Sequence, residues 1–240
     1  VPDIASHLNK FEPGFDTLID IWGQDHHGYI SRMRAAIQAL GYPADSFEVL
    51  INQMVRLIRG GQAVRMSKRK GEFVLMEELL EEVGKDAARY FFLMRSLDAH
   101  MDFDLDLAQL QTNDNPVFYV QYAHARICSL IRQAAGSGVG GPRAAEVDLS
   151  LLRDESEIDL CRKLADLPEE IIGAADSREP QRMTRYLTDL ATLFHSFYTR
   201  CRVITEDREL TRARLALADA ARIGIKNVLD LLGVTAPERM

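Results

Sequence analysis

The stretch NPVFYVQYAHARICSLIRQAA, residues 115–135, decides the fold class of this chain. Asn115 is a favoured helix N-cap residue, and Pro116 suits the first helical position, where the missing amide hydrogen has no helical partner to lose. The flexible sequence AAGSGVGGPRAA, residues 134–145, follows. The stretch therefore predicts one long α-helix that ends at this glycine-rich sequence.

The sequence after this stretch predicts only helices. They are expected at about 149–166, 168–176, 180–203 and 211–232, the last with Thr211 as N-cap and Gly233 as its stop. Apolar residues recur at helical spacing in the last two of them: Leu187, Leu190, Phe194 and Phe197, then Leu215, Val228 and Leu232. This spacing favours a helical bundle.

The first part of the chain predicts a small α/β unit. Residues 15–23 (FDTLIDIWG) indicate a strand, residues 26–41 (HHGYISRMRAAIQALG) a helix, and residues 46–58 (SFEVLINQMVRLI) a second strand. A strand, a helix and a strand in this order are typical of a parallel pair. The unit is too small to be a whole sheet, so we expect the end of a larger one.

The middle of the chain predicts two helices and an extended segment. Residues 76–84 (MEELLEEVG) form an acidic amphipathic helix, and residues 86–96 a second helix with Asp86 as its N-cap. Residues 101–109 (MDFDLDLAQ) carry aspartates at spacing two, as the first ligands of a calcium loop do. The glycine and glutamate that such a loop needs are missing, so we predict a half-buried extended segment and no protein-bound metal.

Composition and charge narrow the class of protein. The net charge of −7 argues against general electrostatic adhesion to nucleic acid, although residues 115–145 contain no acidic side chain and several arginines. The three cysteines form no CxxC pair, and no apolar run approaches the length of a membrane span. We therefore expect a cytoplasmic protein without membrane contact.

A basic loop interrupts this acidic chain. Residues 59–74 read RGGQAVRMSKRKGEFV, with glycines at both ends and four basic residues between the outer ones. A solvated surface hairpin is one interpretation. The other is a loop that closes over a phosphate chain, in which Ser67 orients an oxygen and Lys68 brings a mobile point charge.

A second polar cluster, WGQDHHG at residues 22–28, lies where the first predicted strand ends. Ligands favour this position in open α/β sheets. Gly23 and Gly28 would let a flat nucleoside approach the backbone, and Asp25, His26 and His27 offer donors and acceptors. A capped turn without a ligand is the alternative.

These motifs resemble those of a known family. In VRMSKRKG, residues 65–69 resemble the KMSKS signature of class I aminoacyl-tRNA synthetases, with arginine at its first and last positions. VGKDAARYFFLMRS, residues 83–96, resembles the helix that follows this loop, and WGQDHHG resembles the motif on the ATP side. DNPVFYVQYAHARI and LGVTAPERM, residues 114–127 and 232–240, are similar to arginyl-tRNA synthetase in particular.

The resemblance implies a C-terminal part of a bacterial-type arginyl-tRNA synthetase, because no HIGH motif occurs in the sequence. The implied fold is mostly α: the C-terminal portion of a Rossmann-like α/β catalytic domain (1–74), a connecting helical segment (75–112) and an all-α anticodon-binding bundle (113–240). The family uses ATP with Mg²⁺, L-arginine and tRNA-Arg, and we expect a monomer. The 240 residues alone are predicted to be inactive in adenylation.

The resemblance also implies roles for individual residues. Lys68 and Ser67 take the catalytic positions. The implied ATP-binding residues are Gly23, Asp25, His26, His27 and Met66. The implied anticodon-binding residues are Tyr119, Tyr122, Arg126, Arg132, Tyr198 and Met240. At 100° per residue, Tyr119, Tyr122 and Arg126 share an arc of about 60° on one helix, which suits unstacked bases. A core-facing aromatic stripe is the alternative interpretation.

Three rival functions remain open at this stage. The first is a stand-alone tRNA-binding module without catalytic chemistry. The second is another class I synthetase, such as the cysteinyl enzyme, against which the APERM ending and the VQYAHAR sequence argue. The third is a purely structural helical scaffold. His124 and His195 lack partners at a recognisable spacing and are expected to be structural.

Overall fold

The structure is a computed structural model that describes residues 2–64, 74–141 and 143–240. The chain divides into two compact units. The first comprises the residues up to Leu57 together with Arg95–Phe103, and the second comprises Ile58–Met94 together with Asp104–Met240. Helices dominate, which confirms the predicted mostly α fold class. The functional division at residues 74 and 112 stays a prediction.

The first unit contains the predicted parallel strand pair. Its elements are α1 (Pro2–Phe11), β1 (Leu18–Gly23), a 3₁₀ turn (Gln24–Tyr29), α2 (Ile30–Ala39) and β2 (Phe47–Asn52). β1 and β2 pair in parallel, from Leu18 opposite Phe47 to Gly23 opposite Asn52. Buried side chains from its two helices and two strands form the core: Phe11, Leu18, Met33, Ile37 and Phe47. α1 was not predicted.

The single strand predicted over residues 46–58 is wrong, because the segment forms two strands. β2 ends at Asn52, and β3 (Val55–Arg59) begins after a break at which the Gln53 amide donates to the Leu97 carbonyl over 2.8 Å. β3 pairs antiparallel with β4 (Gln62–Ala63) across two glycines of positive φ, a conformation that glycine adopts without strain. With β5 (Met101–Asp104) they form a sheet of order β4-β3-β5.

Three short helices follow the hairpin in the chain. They are α3 (Met76–Val83), α4 (Lys85–Leu93) and α5 (Leu105–Gln109). Gly84, at φ +80°, separates α3 from α4 and is the N-cap of α4, so the prediction of Asp86 as N-cap is wrong. The extended segment predicted to reach residue 109 ends at Asp104, whose carboxylate accepts the Leu107 amide and caps α5.

The bundle predicted for the rest of the chain is confirmed. It consists of α6 (Pro116–Gly136), α7 (Glu155–Ala165), α8 (Leu167–Asp176), α9 (Gln181–Arg200) and α10 (Arg208–Leu232). As predicted, Asn115 caps α6, its side-chain oxygen accepting the Val117 amide. The seven apolar residues predicted to form its stripes on α9 and α10 are all buried.

The predicted start of α10 is wrong by one helical turn. The N-cap is Asp207, whose Oδ1 accepts the amides of Glu209 and Leu210 at 3.0 Å each. Thr211 lies inside the first turn, and its buried hydroxyl donates to the Asp207 carbonyl. Gly233 ends the helix, as predicted, and at φ +67° it adopts the left-handed conformation. None of the helices in the described ranges is long and apolar enough to cross a membrane.

Candidate functional site

The WGQDHHG turn lies at the carboxyl end of β1, where the sequence predicted it. Instead of opening an α-helix, residues 24–29 form a 3₁₀ turn that precedes α2, and their side chains are exposed. A Cβ at Gly23 would lie 2.8 Å from Oδ1 of the exposed Asp25 side chain, which could rotate away, so this contact alone does not require glycine. The Asp25 carboxylate lies 3.7 Å from His26 Nε2, and both side chains are mostly open to solvent.

A pocket of about 610 Å³ opens beside this turn at the ends of β1 and β2. Its volume falls within the range of about 300–1,000 Å³ that is typical of small-molecule sites. Gly23 and Asp25 line it, together with the segment Asn52–Val55. His26 and His27, also predicted to bind ATP, are exposed and do not line it. Gln53, which the sequence did not single out, lines the pocket and has a buried Oε1 without a hydrogen-bond partner within the described chain.

The KMSKS-like loop falls within residues 65–73, outside the described residues. The catalytic roles of Lys68 and Ser67 and the ATP-binding role of Met66 therefore stay predictions. Among the residues that the structure does describe, no group of three or more His, Cys, Asp or Glu side chains is arranged to hold a metal ion.

The predicted aromatic and basic residues of α6 meet α9 at one surface, here called the α6–α9 face: Tyr119, Tyr122, Arg126, His195 and Tyr198. The Arg126 guanidinium carbon lies 5.8 Å from the Tyr122 ring centroid and 4.3 Å from that of Tyr198. The Tyr119 hydroxyl lies 3.2 Å from Thr192 Oγ1 of α9. All five members of the face are partly exposed. The structure thus brings four of the six predicted anticodon-binding residues together.

His195 lies at the centre of this face, although its sequence context gave no sign of it. Its ring centroid lies 5.2 Å from that of Tyr119 and 6.1 Å from that of Tyr122. Its Nε2 is buried and has no hydrogen-bond partner in the described structure. Burial, and secondarily the charge of Arg126, lowers the pKa of His195, so its neutral form is favoured.

Arg132 and Met240 lie with the last residues of the chain rather than with the aromatic rings. Side chains of α6 hold the backbone of this tail: Gln121 donates to the Thr235 carbonyl at 2.9 Å, and Arg132 to the Glu238 carbonyl at 3.2 Å. Met240 follows and is exposed. The tail is thereby fixed along α6, so that the chain end and the α6–α9 face share one helix.

His124 of α6 also contacts this tail. Its Nδ1 lies 2.9 Å from the Pro237 carbonyl oxygen, which accepts only, so Nδ1 carries the proton. Burial lowers the pKa of His124, and the hydrogen bond to Pro237 opposes this effect in part. The predicted structural role of His124 agrees with these contacts.

Comparison with known proteins gives a family for the bundle and relatives for the whole chain. A profile of the "DALR anticodon binding domain" matches residues 120–240. The arginine–tRNA ligase of Symbiobacterium thermophilum is 63% identical over 99% of this chain, and that of Moorella thermoacetica is 57% identical over 99%. The chain spans 43% and 42% of these two relatives, about two fifths of their length.

Solved structures agree with these relatives. A crystal structure of a protein assigned as an arginyl-tRNA synthetase from Campylobacter jejuni superimposes with a TM-score of 0.89 at 34% identity, over 99% of this chain and 51% of that one. The arginyl-tRNA synthetase of Thermus thermophilus gives a TM-score of 0.73 at 28% identity, over 94% and 41%. The resemblance to arginyl-tRNA synthetases predicted from the motifs is confirmed.

The matched profile begins within α6 and runs to the last residue. It takes in half of the chain and, apart from Tyr119, the whole of the α6–α9 face. The chain therefore belongs to the DALR anticodon-binding domain family.

Proposed function

We propose that this chain acts within an arginine–tRNA ligase and that its α6–α9 face binds the anticodon loop of tRNA-Arg. The observation that carries this proposal is the arrangement of Tyr122, Arg126 and Tyr198, in which one guanidinium lies against two partly exposed rings from different helices. The names of the relatives, all arginine–tRNA ligases over this whole chain, support the choice of tRNA.

The face offers the two interactions that unstacked loop nucleotides need. Partly exposed tyrosine rings stack on bases, which contributes about 1–3 kcal/mol per base. The guanidinium of Arg126 presents planar donors for a phosphate or a base edge. Because residues 115–145 contain no acidic side chain, α6 itself presents no carboxylate to repel the phosphates. The remaining acidic surface would disfavour unspecific RNA binding.

The catalytic part of the proposal concerns the first unit and the basic loop. In arginine activation a carboxylate oxygen of arginine attacks the α-phosphate of ATP, and pyrophosphate leaves with the electron pair of the broken bond. Gly23, Asp25 and Gln53 line the pocket in which an adenosine would bind. Lys68, Ser67 and Met66 would act on the phosphates, with Mg²⁺ bound to ATP. Arginine then passes to the 3′ end of the tRNA.

The 240 residues alone are expected to lack arginine activation, because the sequence has no HIGH motif. Arginine-dependent exchange of pyrophosphate into ATP measures this step directly. Exchange above background by the purified chain would contradict the expectation. The chain is proposed to be a monomer, which light scattering at several concentrations would test.

The RNA-binding proposal is tested with the purified chain and an arginine-accepting tRNA transcript. We expect tighter binding to this transcript than to one altered only in the anticodon loop, and loss of the difference in Tyr122→Ala and Arg126→Ala. Tyr29→Ala, an exposed tyrosine of the first unit, is the matched control. Equal binding to both transcripts, declining uniformly with salt, would mean phosphate contact only and would contradict base reading by this face.

A further inference from the structure

A second pocket lies next to the α6–α9 face, and the function proposed above gives it no role. Leu130 and Gln133 of α6 form one side, and residues 198–204, from the last turn of α9 and the loop after it, form the other. Its volume of about 470 Å³ falls in the range of small-molecule sites. We call it the Tyr198 pocket.

The Tyr198 pocket continues the α6–α9 face along α6. Tyr198 belongs to both, because it lines the pocket and also contacts the Arg126 guanidinium at 4.3 Å. Gln133 lies seven residues after Arg126, which places the two within about 20° of each other around the helix and about 10 Å apart along it. An RNA strand with one base stacked on Tyr122 would therefore have a neighbouring nucleotide close to this pocket.

The chemistry of the pocket combines an apolar floor with a polar rim. Leu130, Cys201 and Val203 are buried and supply the floor. At the rim, the Gln133 amide and the Arg202 guanidinium are exposed, and neither has a hydrogen-bond or ion-pair partner among the residues that the structure describes. An aromatic wall, a free amide and a free guanidinium are the groups that bind an unstacked nucleotide.

Neighbouring charges favour an anionic ligand. Arg200, also in the pocket wall, lies 3.3 Å from Asp154 and is partly neutralised by it. The Arg202 guanidinium is not, so the pocket itself has an unpaired positive charge at its rim. None of the residues lining the pocket is acidic.

We propose that the Tyr198 pocket is a second nucleotide site, which takes one further unstacked nucleotide of the RNA loop bound at the α6–α9 face. The base packs against Tyr198 and Leu130, the Gln133 amide hydrogen-bonds to the base edge, and Arg202 binds the phosphate. This proposal rests on the proposed RNA-binding function. It makes Gln133 a determinant of base specificity and Arg202 a determinant of affinity.

The test uses the 240-residue chain and stem-loop RNAs of the tRNA-Arg anticodon arm, intact or with a single abasic nucleotide at each loop position in turn. Fluorescence anisotropy gives the dissociation constants. Gln133→Ala is expected to weaken binding to the intact loop about tenfold. That loss should vanish with one abasic position, and this position should differ from the one that cancels the effect of Tyr122→Ala. Gln38→Ala, an exposed glutamine of α2, is the matched control.

Arg202→Ala should weaken binding to all loops alike and lower the slope of log K against log salt by about one, as expected for one lost phosphate contact. Arg162→Ala, at an exposed arginine of α7, should leave the slope unchanged. Urea unfolding of each variant checks that stability is preserved.

Two results would overturn the proposal. If Gln133→Ala and Arg202→Ala bind like their controls while Tyr122→Ala binds weakly, the Tyr198 pocket is not a nucleotide site and the proposed function stands. The proposal also fails if one abasic position cancels both Gln133→Ala and Tyr122→Ala. If Tyr122→Ala has no effect either, the proposed function fails with it.

Discussion

The guanidinium carbon of Arg126 lies 4.3 Å from the ring centroid of Tyr198, so a cation on α6 rests against a ring on α9. Such contacts contribute about 0.5–2 kcal/mol, depending on how far they are desolvated. The contact restrains the guanidinium group beside the Tyr122 and Tyr198 rings. Arg126 is thus pre-oriented before any RNA arrives.

This orientation predicts that Arg126→Lys impairs RNA binding although the charge is kept. Lysine lacks the planar fork of donors and cannot stack on a ring in the same way. We expect an affinity for the anticodon stem-loop about five- to tenfold weaker, with an unchanged salt dependence because the number of phosphate charges neutralised is the same. Arg162→Lys, on exposed α7 surface, is the control. Wild-type affinity in Arg126→Lys would mean that only the charge matters.

An ion pair with a buried carboxylate predicts a large loss of stability in the bundle. Glu157, only 1% exposed, accepts from Arg214 Nε at 2.6 Å, and its other oxygen accepts the amides of Arg153 and Asp154. Glu157→Gln removes the counter-charge of Arg214, whose side chain is 14% exposed. Breaking a fully buried pair typically costs about 3–5 kcal/mol, and the partial exposure of Arg214 places this pair at the lower end of that range. The free energy of unfolding, measured in urea, should fall by about 3 kcal/mol.

The exposed pair Lys226–Asp230 provides the contrast on α10. Its N–O distance of 2.5 Å is similar to the 2.6 Å between Arg214 and Glu157, but both of its side chains are about half exposed. Solvent-exposed pairs contribute at most about 1 kcal/mol, so Asp230→Asn should change the free energy of unfolding by less than this. Equal losses in Glu157→Gln and Asp230→Asn would contradict the assignment of the stability to burial.

The features that the sequence predicted well depend on neighbours along the chain. Asn115 and Pro116 signal the start of α6 by themselves, and the helical period alone places Tyr122 and Arg126 on one side of it. The predicted start of α10 was wrong because the local sequence offers two good capping residues, Asp207 and Thr211. What decides between them is that the Thr211 hydroxyl is buried and bonded to the Thr205 and Asp207 carbonyls.

Features that depend on distant parts of the chain could not be predicted in this way. His195 joins the α6–α9 face because α9 packs against α6, about 70 residues earlier in the chain, and no local spacing reports this packing. Likewise, the break between β2 and β3 involves the Leu97 carbonyl, which accepts the Gln53 amide. Gln53 lies in this break, and there it lines the candidate nucleotide pocket.

His124 of α6, which is buried, and His195 of α9, which is partly buried, predict how stability depends on pH. Burial lowers the pKa of both His124 and His195 in the folded chain, whereas in the unfolded chain they titrate near 6.5. As the pH falls from about 7 to about 5, the unfolded state therefore binds protons first, and the free energy of unfolding must decrease. A double variant, His124→Phe with His195→Phe, should show a flatter pH dependence in this window.

The two aspartates whose pKa is lowered in the folded chain do not obscure this measurement. The hydrogen bonds from Ser156 lower the pKa of Asp154 to about 2, and those from Ser150 lower the pKa of Asp148. Stability from such groups is lost only as the pH falls below the ordinary aspartate pKa of about 4. The same slope between pH 7 and 5 in wild type and double variant would show that the histidines do not cause it.

The tail along α6 predicts a local rather than a global effect of removing its hydrogen bonds. In His124→Phe an aromatic ring is kept, but the Pro237 carbonyl loses its donor. A hydrogen bond contributes about 1 kcal/mol net, so the tail should open about fivefold more often while the bundle keeps its cooperative unfolding. Carboxypeptidase should then release Met240 and Arg239 about fivefold faster, as followed by mass spectrometry.

The control for the tail is His100→Phe, at an exposed histidine of the first unit. Gln121→Ala should act like His124→Phe, because Gln121 holds the Thr235 carbonyl from the same helix. If both tail variants are trimmed at the wild-type rate, the hydrogen bonds from Gln121 and His124 do not hold the chain end. Its position would then depend on the other contacts of the tail, which are the burial of Val234 and the hydrogen bonds that join Thr235 to Asp86 and Arg132 to Glu238.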